Sequence, residues 1–342
     1  MSKITINDIA RKTGVSKATV SYVLNGRSSG FNISPATVDK VLKTCQELFY
    51  RPDEAAVLLS NRRKQPLKLL FLSPWLYSQF SDFMEQVNVT LHKRMEKDSL
   101  QVTFKPYVNG ELNKALRPSA VKRYEAVLLV GTDKEDEVWL EKNADQLPHT
   151  VLLNREAKGF CCVRGNDEEA SAELAGKIGR AHYSRYLAFS GSGSTYCEQR
   201  RCRGFSARLD QAGAAGEICR ISGAAEIMQK IRKAFEKDAS PLLVFIPQYA
   251  AAAMVQKLAQ QENIRIPEQL GIASYDRHSL LSSFITPSLT TADPCLEKMT
   301  NEALDMVLAV RQGTVVQEVR IISAQIINGE STVHSTAERN ML

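Results

Sequence analysis

The stretch GVSKATVSYVLNG, residues 14–26, decides the reading of the first domain. Gly14 breaks one helix and permits a tight turn. Ser16 stands where it can cap a second helix, Lys17–Leu24, which Asn25 and Gly26 end. Val15, Val20, Val23 and Leu24 are its apolar positions, leaving Lys17, Ala18, Ser21 and Tyr22 facing out. Working outward, Thr5 is placed to cap a helix over 6–12, with Ile6, Ile9 and Ala10 on one face. Ser34 caps a third helix with Pro35 at its first position, and Val38, Val41, Leu42, Cys45 and Leu48 form its inner stripe. Two helices joined by a short glycine-containing turn and closed by a third form a helix-turn-helix.

A plain three-helix bundle has the same apolar spacing, so charge has to separate the two. Residues 1–65 hold eleven Lys/Arg against five Asp/Glu. The whole chain nets +6, so all of its excess positive charge lies in that first fifth. Coincident with a helix whose outward residues are small and polar, the bias points to a polyanion in whose groove the helix can sit.

The remaining composition is that of a globular protein, with 44% hydrophobic and 24% charged residues. No apolar run approaches the ~18 residues of a membrane span, and the polar N-terminus has no apolar signal region, so a cytoplasmic protein without a membrane partner is expected. The seven cysteines form no C-x-x-C pair and the five histidines are scattered, so free thiols, no metal and no cofactor are expected.

The residues ITINDIARKTGVSKATVSYVLNG, then ISPATVDKVL and YRP, resemble the lactose/galactose repressor (LacI/GalR) family of bacterial transcription factors. The resemblance implies that the helix from Lys17 lies in the major groove. Lys17, Ala18 and Tyr22 would meet base edges, while Thr5, Ser16, Thr19, Ser21 and Asn25 would bond phosphates, which fix register without reading sequence. The family commonly has Arg where Tyr22 stands; Arg reads guanine bidentately, whereas Tyr offers one hydroxyl and a ring edge. Tyr22 and the long loop over 26–33 look like the fructose and sucrose repressor branch. Residues 51–65 are read as a hinge, helical only on the operator, with Leu59 as the minor-groove wedge. Asp53 and Val57 depart from the family pattern there, and Arg62, Arg63 and Lys64 offset the acidic Asp53.

From Leu67 the pattern changes. LKLLFLSP, LQVTFKPY, YEAVLLVG, HTVLLNR, FCCVRGND, RYLAFSGSG, SPLLVFIPQ and LGIASYD are apolar runs separated by helical stretches. Such runs predict parallel sheets covered on both faces, and their number calls for two α/β subdomains. Ligands of these sheets lie beyond the carboxyl ends of the strands, here the cleft between subdomains. RRCRGFSARLDQAG, IRIPEQLGIASYD and TPSLTTADP extend the resemblance and imply a periplasmic-binding-protein-like fold. The expected organisation is a helix-turn-helix domain over 1–50, a hinge over 51–65 and an effector and dimerisation domain over 66–342. Its first subdomain would comprise 66–160 and 291–320, its second 161–290 and 321–332.

Arg201 and Asp276 match the family's cleft arginine and carboxylate, a fork donor and an acceptor suited to a polyhydroxylated ligand. Tyr77, Gln79 and Phe80 are candidates for the opposite wall, and Gln248 with Tyr249 replaces the family's usual Asn-Asp pair. SGSGS, residues 190–194, has none of the phosphate-loop spacings and reads as a βα turn, although Arg200, Arg201 and Arg203 behind it would suit a sugar phosphate. The polar tail over 331–342 lacks leucine heptads, so a homodimer on a pseudo-palindromic operator is expected. The expected function is a repressor of carbohydrate use, controlled by a sugar or sugar phosphate; the alternative is a constitutive DNA binder with a degenerate cleft. An enzyme finds no support, since no nucleophile–base pair, metal set or phosphate loop is present.

Overall fold

The computed structural model describes residues 5–24, 33–48, 50, 65–75, 82–179, 182–191, 196–221, 223–277, 280–314 and 317–333. The chain divides into two compact units, Met1–Gln65 and Pro66–Leu342.

The first unit holds α1 (Ile6–Thr13), α2 (Lys17–Leu24) and α3 (Pro35–Glu47). The N–H and hydroxyl of Thr5 donate to Asp8 Oδ2 at 2.9 and 2.7 Å, fixing the start of α1. Gly14 turns the chain at φ 71°. Ser16 Oγ accepts from the Thr19 N–H at 3.0 Å and Ser34 Oγ from the Thr37 N–H at 3.3 Å, so each later helix has its cap. Ile9, Val20, Val23, Val41 and Cys45 make the core. Leu42, expected in the inner stripe of α3, is 44% exposed, because Val41 and Cys45 occupy the positions facing α1 and α2.

The second unit carries two six-stranded sheets. The first is built from β1 (Leu67–Ser73), β2 (Leu100–Pro106), β3 (Ala126–Val130), β4 (His149–Leu153), β5 (Cys161–Gly165) and β11 (Val319–Ile322), in spatial order β11-β5-β4-β3-β1-β2, all parallel. Around it lie α4 (Asp82–Asp98), the short α5 (Leu112–Ala115) and α6 (Pro118–Val121), α7 (Lys134–Asn143) and α12 (Leu296–Gln312). The second sheet contains β6 (Arg185–Ser190), β7 (Ala215–Arg220), β8 (Leu242–Ile246), β9 (Leu270–Tyr275), β10 (Thr290–Asp293) and β12 (Gln325–Ile327), in order β12-β10-β9-β8-β6-β7. Only its β12 runs antiparallel. Its helices are α8 (Asp167–Lys177), α9 (Tyr196–Gln211), α10 (Ala224–Lys237) and α11 (Tyr249–Gln261). Strands β1, β3, β4, β8 and β9 are buried almost throughout, which is why each is a continuous apolar run in the sequence.

The chain crosses between sheets at other points than the sequence implied. The boundary expected at Phe160 falls after Gly165, because β5 pairs with β4 and β11 of the first sheet. The crossing placed near Thr291 falls after Asp293, since β10 belongs to the second sheet. The one placed near Ile321 falls between Ile322 and Gln325.

Candidate functional site

Both sheets reverse their strand order, the first between β1 and β3 and the second between β6 and β8. The crevice beyond the carboxyl ends at such a reversal is where open α/β sheets receive ligands. The candidate residues of the second subdomain gather there.

Arg201, on α9, is buried. Its Nε donates to Asp167 Oδ1 at 2.9 Å, and its Nη1 to Asp276 Oδ2 at 3.2 Å and to the Pro247 carbonyl at 3.3 Å. The guanidinium lies 3.9 Å from the centroid of the Tyr275 ring. Burial pulls its pKa down, but Asp276 and Asp167 outweigh that and hold it well above the usual arginine value. Asp276 directly follows β9 at φ 69°, a left-handed conformation that aspartate tolerates better than most residues. Thr291 Oγ1 donates to its carbonyl at 2.7 Å, which fixes this turn. The carboxylate of Asp276 is about one-third exposed, against 4% for the side chain of Asp167. Asp276 is therefore the more accessible of the two carboxylates, and Asp167 is the buried counter-ion of Arg201. The Tyr275 hydroxyl below them is buried without a hydrogen-bond partner among the described residues.

Gln248 is exposed at the end of β8, where its Nε2 donates to Glu198 Oε1 at 2.6 Å. Tyr249 beside it is buried in the core, so only Gln248 of that pair reaches the crevice. Arg200 and Arg203 turn toward α8, pairing with Glu168 at 3.9 and 3.8 Å. Tyr77, Gln79 and Phe80 lie outside the described residues, as do residues 192–195 of the SGSGS turn.

The first subdomain faces this cluster with Asn154 and Arg155, which follow β4. Cys197 Sγ donates to the Asn154 carbonyl at 3.3 Å, and Arg155 Nη1 donates to Cys197 Sγ at 3.3 Å. A third bond, from Gln86 Nε2 to the Arg277 carbonyl at 3.2 Å, also joins the subdomains. A separate hollow of about 510 Å³ is lined by Glu137, Glu141, Glu156, Phe160, Tyr196 and Glu318, and Arg201, Asp276 and Arg155 take no part in it. The seven cysteines are free thiols, and no acid, histidine or cysteine cluster among the described residues could hold a metal.

In the first unit Lys17 and Ala18 of α2 are exposed and Ser21 and Tyr22 half-buried. Thr5 and Ser16 are exposed at helix starts, and Thr19 Oγ1 sits 2.9 Å from Ser16 Oγ. Lys12 is drawn off to Glu47 at 3.1 Å, tying α1 to α3. Asn25 and Leu59 lie outside the described residues.

Sequence reasoning missed Asp167 and Arg155. Each is a charged residue just past the end of an apolar strand, and that position is the signal that could have found them.

A capped helix-turn-helix followed by two α/β subdomains around a crevice defines a DNA-binding transcriptional regulator rather than an enzyme. Residues 5–53 match the model of the lacI family of bacterial regulatory proteins, and residues 180–332 match that of a periplasmic binding protein-like domain. The chain is 28% identical over 314 residues to the HTH-type transcriptional repressor PurR of Vibrio atlanticus (strain LGP32), covering 89% of this chain and 91% of that protein. It is 26% identical over 213 residues to the sucrose operon repressor of Klebsiella pneumoniae, covering 62% of each. Its fold is similar to that of the lac repressor dimer bound to operator and the anti-inducer ONPF, with TM-score 0.73 at 18% identity, covering 97% of this chain and 100% of that one.

Proposed function

We propose that this protein is a repressor of a carbohydrate-utilisation operon, acting in the cytoplasm as a homodimer on a pseudo-palindromic operator. A sugar or sugar phosphate bound between its two α/β subdomains controls its operator affinity. The observation that carries this reading is the Arg201–Asp276 pair at the strand-order reversal of the second sheet. A fork of N–H donors beside a partly exposed carboxylate suits a ligand rich in hydroxyls. The similarity to a sucrose operon repressor supports the sugar class, and the similarity to PurR makes purines the competing class.

Control requires a ligand with different affinity for two arrangements of the subdomains. The bonds from Cys197 to Asn154 and from Gln86 to Arg277 hold one arrangement, and a ligand that replaces them favours another. The ligand-independent reading draws on Arg201 and Gln248, whose protein partners already satisfy them. Titrating the full chain with sugars, sugar phosphates and purines by thermal shift separates the readings. A ligand at 100 times its Kd should add about 2.7 kcal/mol, lost in Asp276→Asn; no shift with any of them favours the constitutive binder.

On DNA, Lys17, Ala18 and Tyr22 read base edges, while Thr5, Ser16, Thr19, Ser21 and Asn25 bond phosphates and Leu59 wedges the minor groove. Tyr22→Ala should then change which half-site is preferred, with a loss of about 1 kcal/mol at the base it reads. Asn25→Ala should weaken every site alike. Binding to a panel of half-site variants checks this, and uniform losses from both variants would refute the assigned roles.

The dimer reading draws on exposed apolar side chains. Phe284 and Leu280 are 77% and 62% exposed, and Met254 on α11 is 51% exposed. Gln256 and Gln260 of α11 donate to the Pro287 and Thr286 carbonyls, so the helix and this loop form one surface. A soluble monomer has little reason to expose such a group. Phe284→Glu should shift sedimentation of the full chain toward the monomer; an unchanged dimer would place the interface elsewhere.

A further inference from the structure

Arg155 is a buried cation that pairs with no carboxylate among the described residues. It is 3% exposed. Its Nε donates to the Thr132 carbonyl at 3.0 Å, and its Nη1 to the Asn154 carbonyl at 2.6 Å and to Cys197 Sγ at 3.3 Å. Among the described residues no carboxylate pairs with it. Glu137 is near enough to feel it, but that carboxylate accepts the Thr132 hydroxyl at 3.1 Å instead. Buried charges in proteins are as a rule paired, because an uncompensated one is costly.

Its position gives the charge a use. Thr132 follows β3 and Trp75 follows β1, and the Arg155 guanidinium lies 5.8 Å from the Trp75 ring centroid. Arg155 thus stands at the strand-order reversal of the first sheet, while Arg201 stands at that of the second. The two differ in what they already hold. Arg201 has Asp167 and Asp276, and Arg200 and Arg203 have Glu168. Every described arginine of the R-R-C-R run is therefore neutralised, and a sugar phosphate, which those arginines alone would suit, would find its charge across the cleft.

We propose that Arg155 is the anion-binding residue of the effector site, and that the effector is a polyhydroxylated molecule carrying a phosphate or carboxylate. This rests on the effector reading above and adds the ligand's charge and the residue that meets it. The anion takes the Nη1 donor that Cys197 now holds, so binding exchanges a bond between subdomains for one to the ligand. The neutral hydroxyls face Asp276.

The test compares charged and neutral probes on the full chain by calorimetry: glucose 6-phosphate and fructose 1-phosphate, gluconate and glucuronate, then glucose and fructose. At least one anionic probe should bind about 10- to 100-fold more tightly than its neutral parent, as expected for a charge-assisted hydrogen bond. Arg155→Met should reduce that probe to its parent's affinity, and Arg155→Lys should restore part of the difference. The phosphate and carboxylate arms show which anion is preferred. The wild-type comparison needs no variant, so it stands even if Arg155→Met folds poorly. Equal affinity for charged and neutral probes, or an Arg155→Met that discriminates as the wild type does, overturns the proposal and leaves the effector reading intact. Absence of binding by all six probes overturns this proposal, and if purines are also silent the effector reading falls with it.

Discussion

Arg201→Ala should destabilise the 66–342 unit by about 3–5 kcal/mol, the cost of removing one partner from a buried ion pair. The truncation strands the Asp167 carboxylate, whose side chain is only 4% exposed, and opens a void over the Tyr275 ring. Asp167→Asn in the same chain should recover part of the loss by removing the stranded charge. Arg203 offers the contrast on the same helix. Its side chain is 63% exposed and its pairing with Glu168 is 3.8 Å long, so Arg203→Ala should cost less than about 1 kcal/mol. Urea unfolding followed by tryptophan fluorescence measures this, because both tryptophans, Trp75 and Trp139, lie in this unit. An Arg201→Ala loss as small as that of Arg203→Ala would contradict the burial of the pair.

Gly204→Ala should be at least as damaging, with an expected loss of about 4 kcal/mol or more, or failure to fold. A Cβ at Gly204 would lie 2.0 Å from the Glu168 carbonyl oxygen and 2.7 Å from its carbon. Both are backbone atoms of α8, so no side-chain rotation relieves the clash, and α8 and α9 must separate. Asp167 immediately precedes Glu168, and so the separation also draws Asp167 away from Arg201. Gly176→Ala is the control on the same pair of helices. Its Cβ would meet the Arg208 guanidinium at 3.3 Å, the far end of a flexible side chain, and a change within about 1 kcal/mol is expected. Soluble yield and the same urea titration distinguish them, and a Gly204→Ala protein of ordinary stability would show that the helices are less closely packed.

The parts of the molecule that could be read in the sequence are those whose structure is set locally. Thr5, Ser16 and Ser34 mark helix starts because their side chains meet backbone groups or a neighbour within three residues. Strands such as β3 and β9 are legible because burial on both faces demands an unbroken apolar run. The edge strand β7 was not anticipated, since AGEICR is exposed at all positions but Cys219 and has no apolar run. FCCVRG is plainly a strand, but nothing in it says which sheet it joins, because that depends on pairing with β4 and with β11, over 150 residues away. The site divides in the same way. Arg201 and Asp276 were found through motifs resembling the family's. Asp167 and Arg155 have meaning only through partners brought to them by the fold: Asp167 pairs with Arg201 34 positions away, and Arg155 meets Cys197 42 positions away.

The most direct test is a fluorescence-anisotropy titration of the full chain on a duplex selected by the protein itself from a random pool. It is run without ligand and with each sugar, sugar phosphate or purine that binds. An effector-controlled dimer selects a two-fold-symmetric site whose Kd shifts about 5- to 150-fold with one of those ligands, the usual range of coupling between two sites. The shift should vanish in Asp276→Asn, which leaves the helix-turn-helix untouched. Superimposable binding curves with every ligand that occupies the protein would contradict effector control, and would mark the chain as a DNA binder without it.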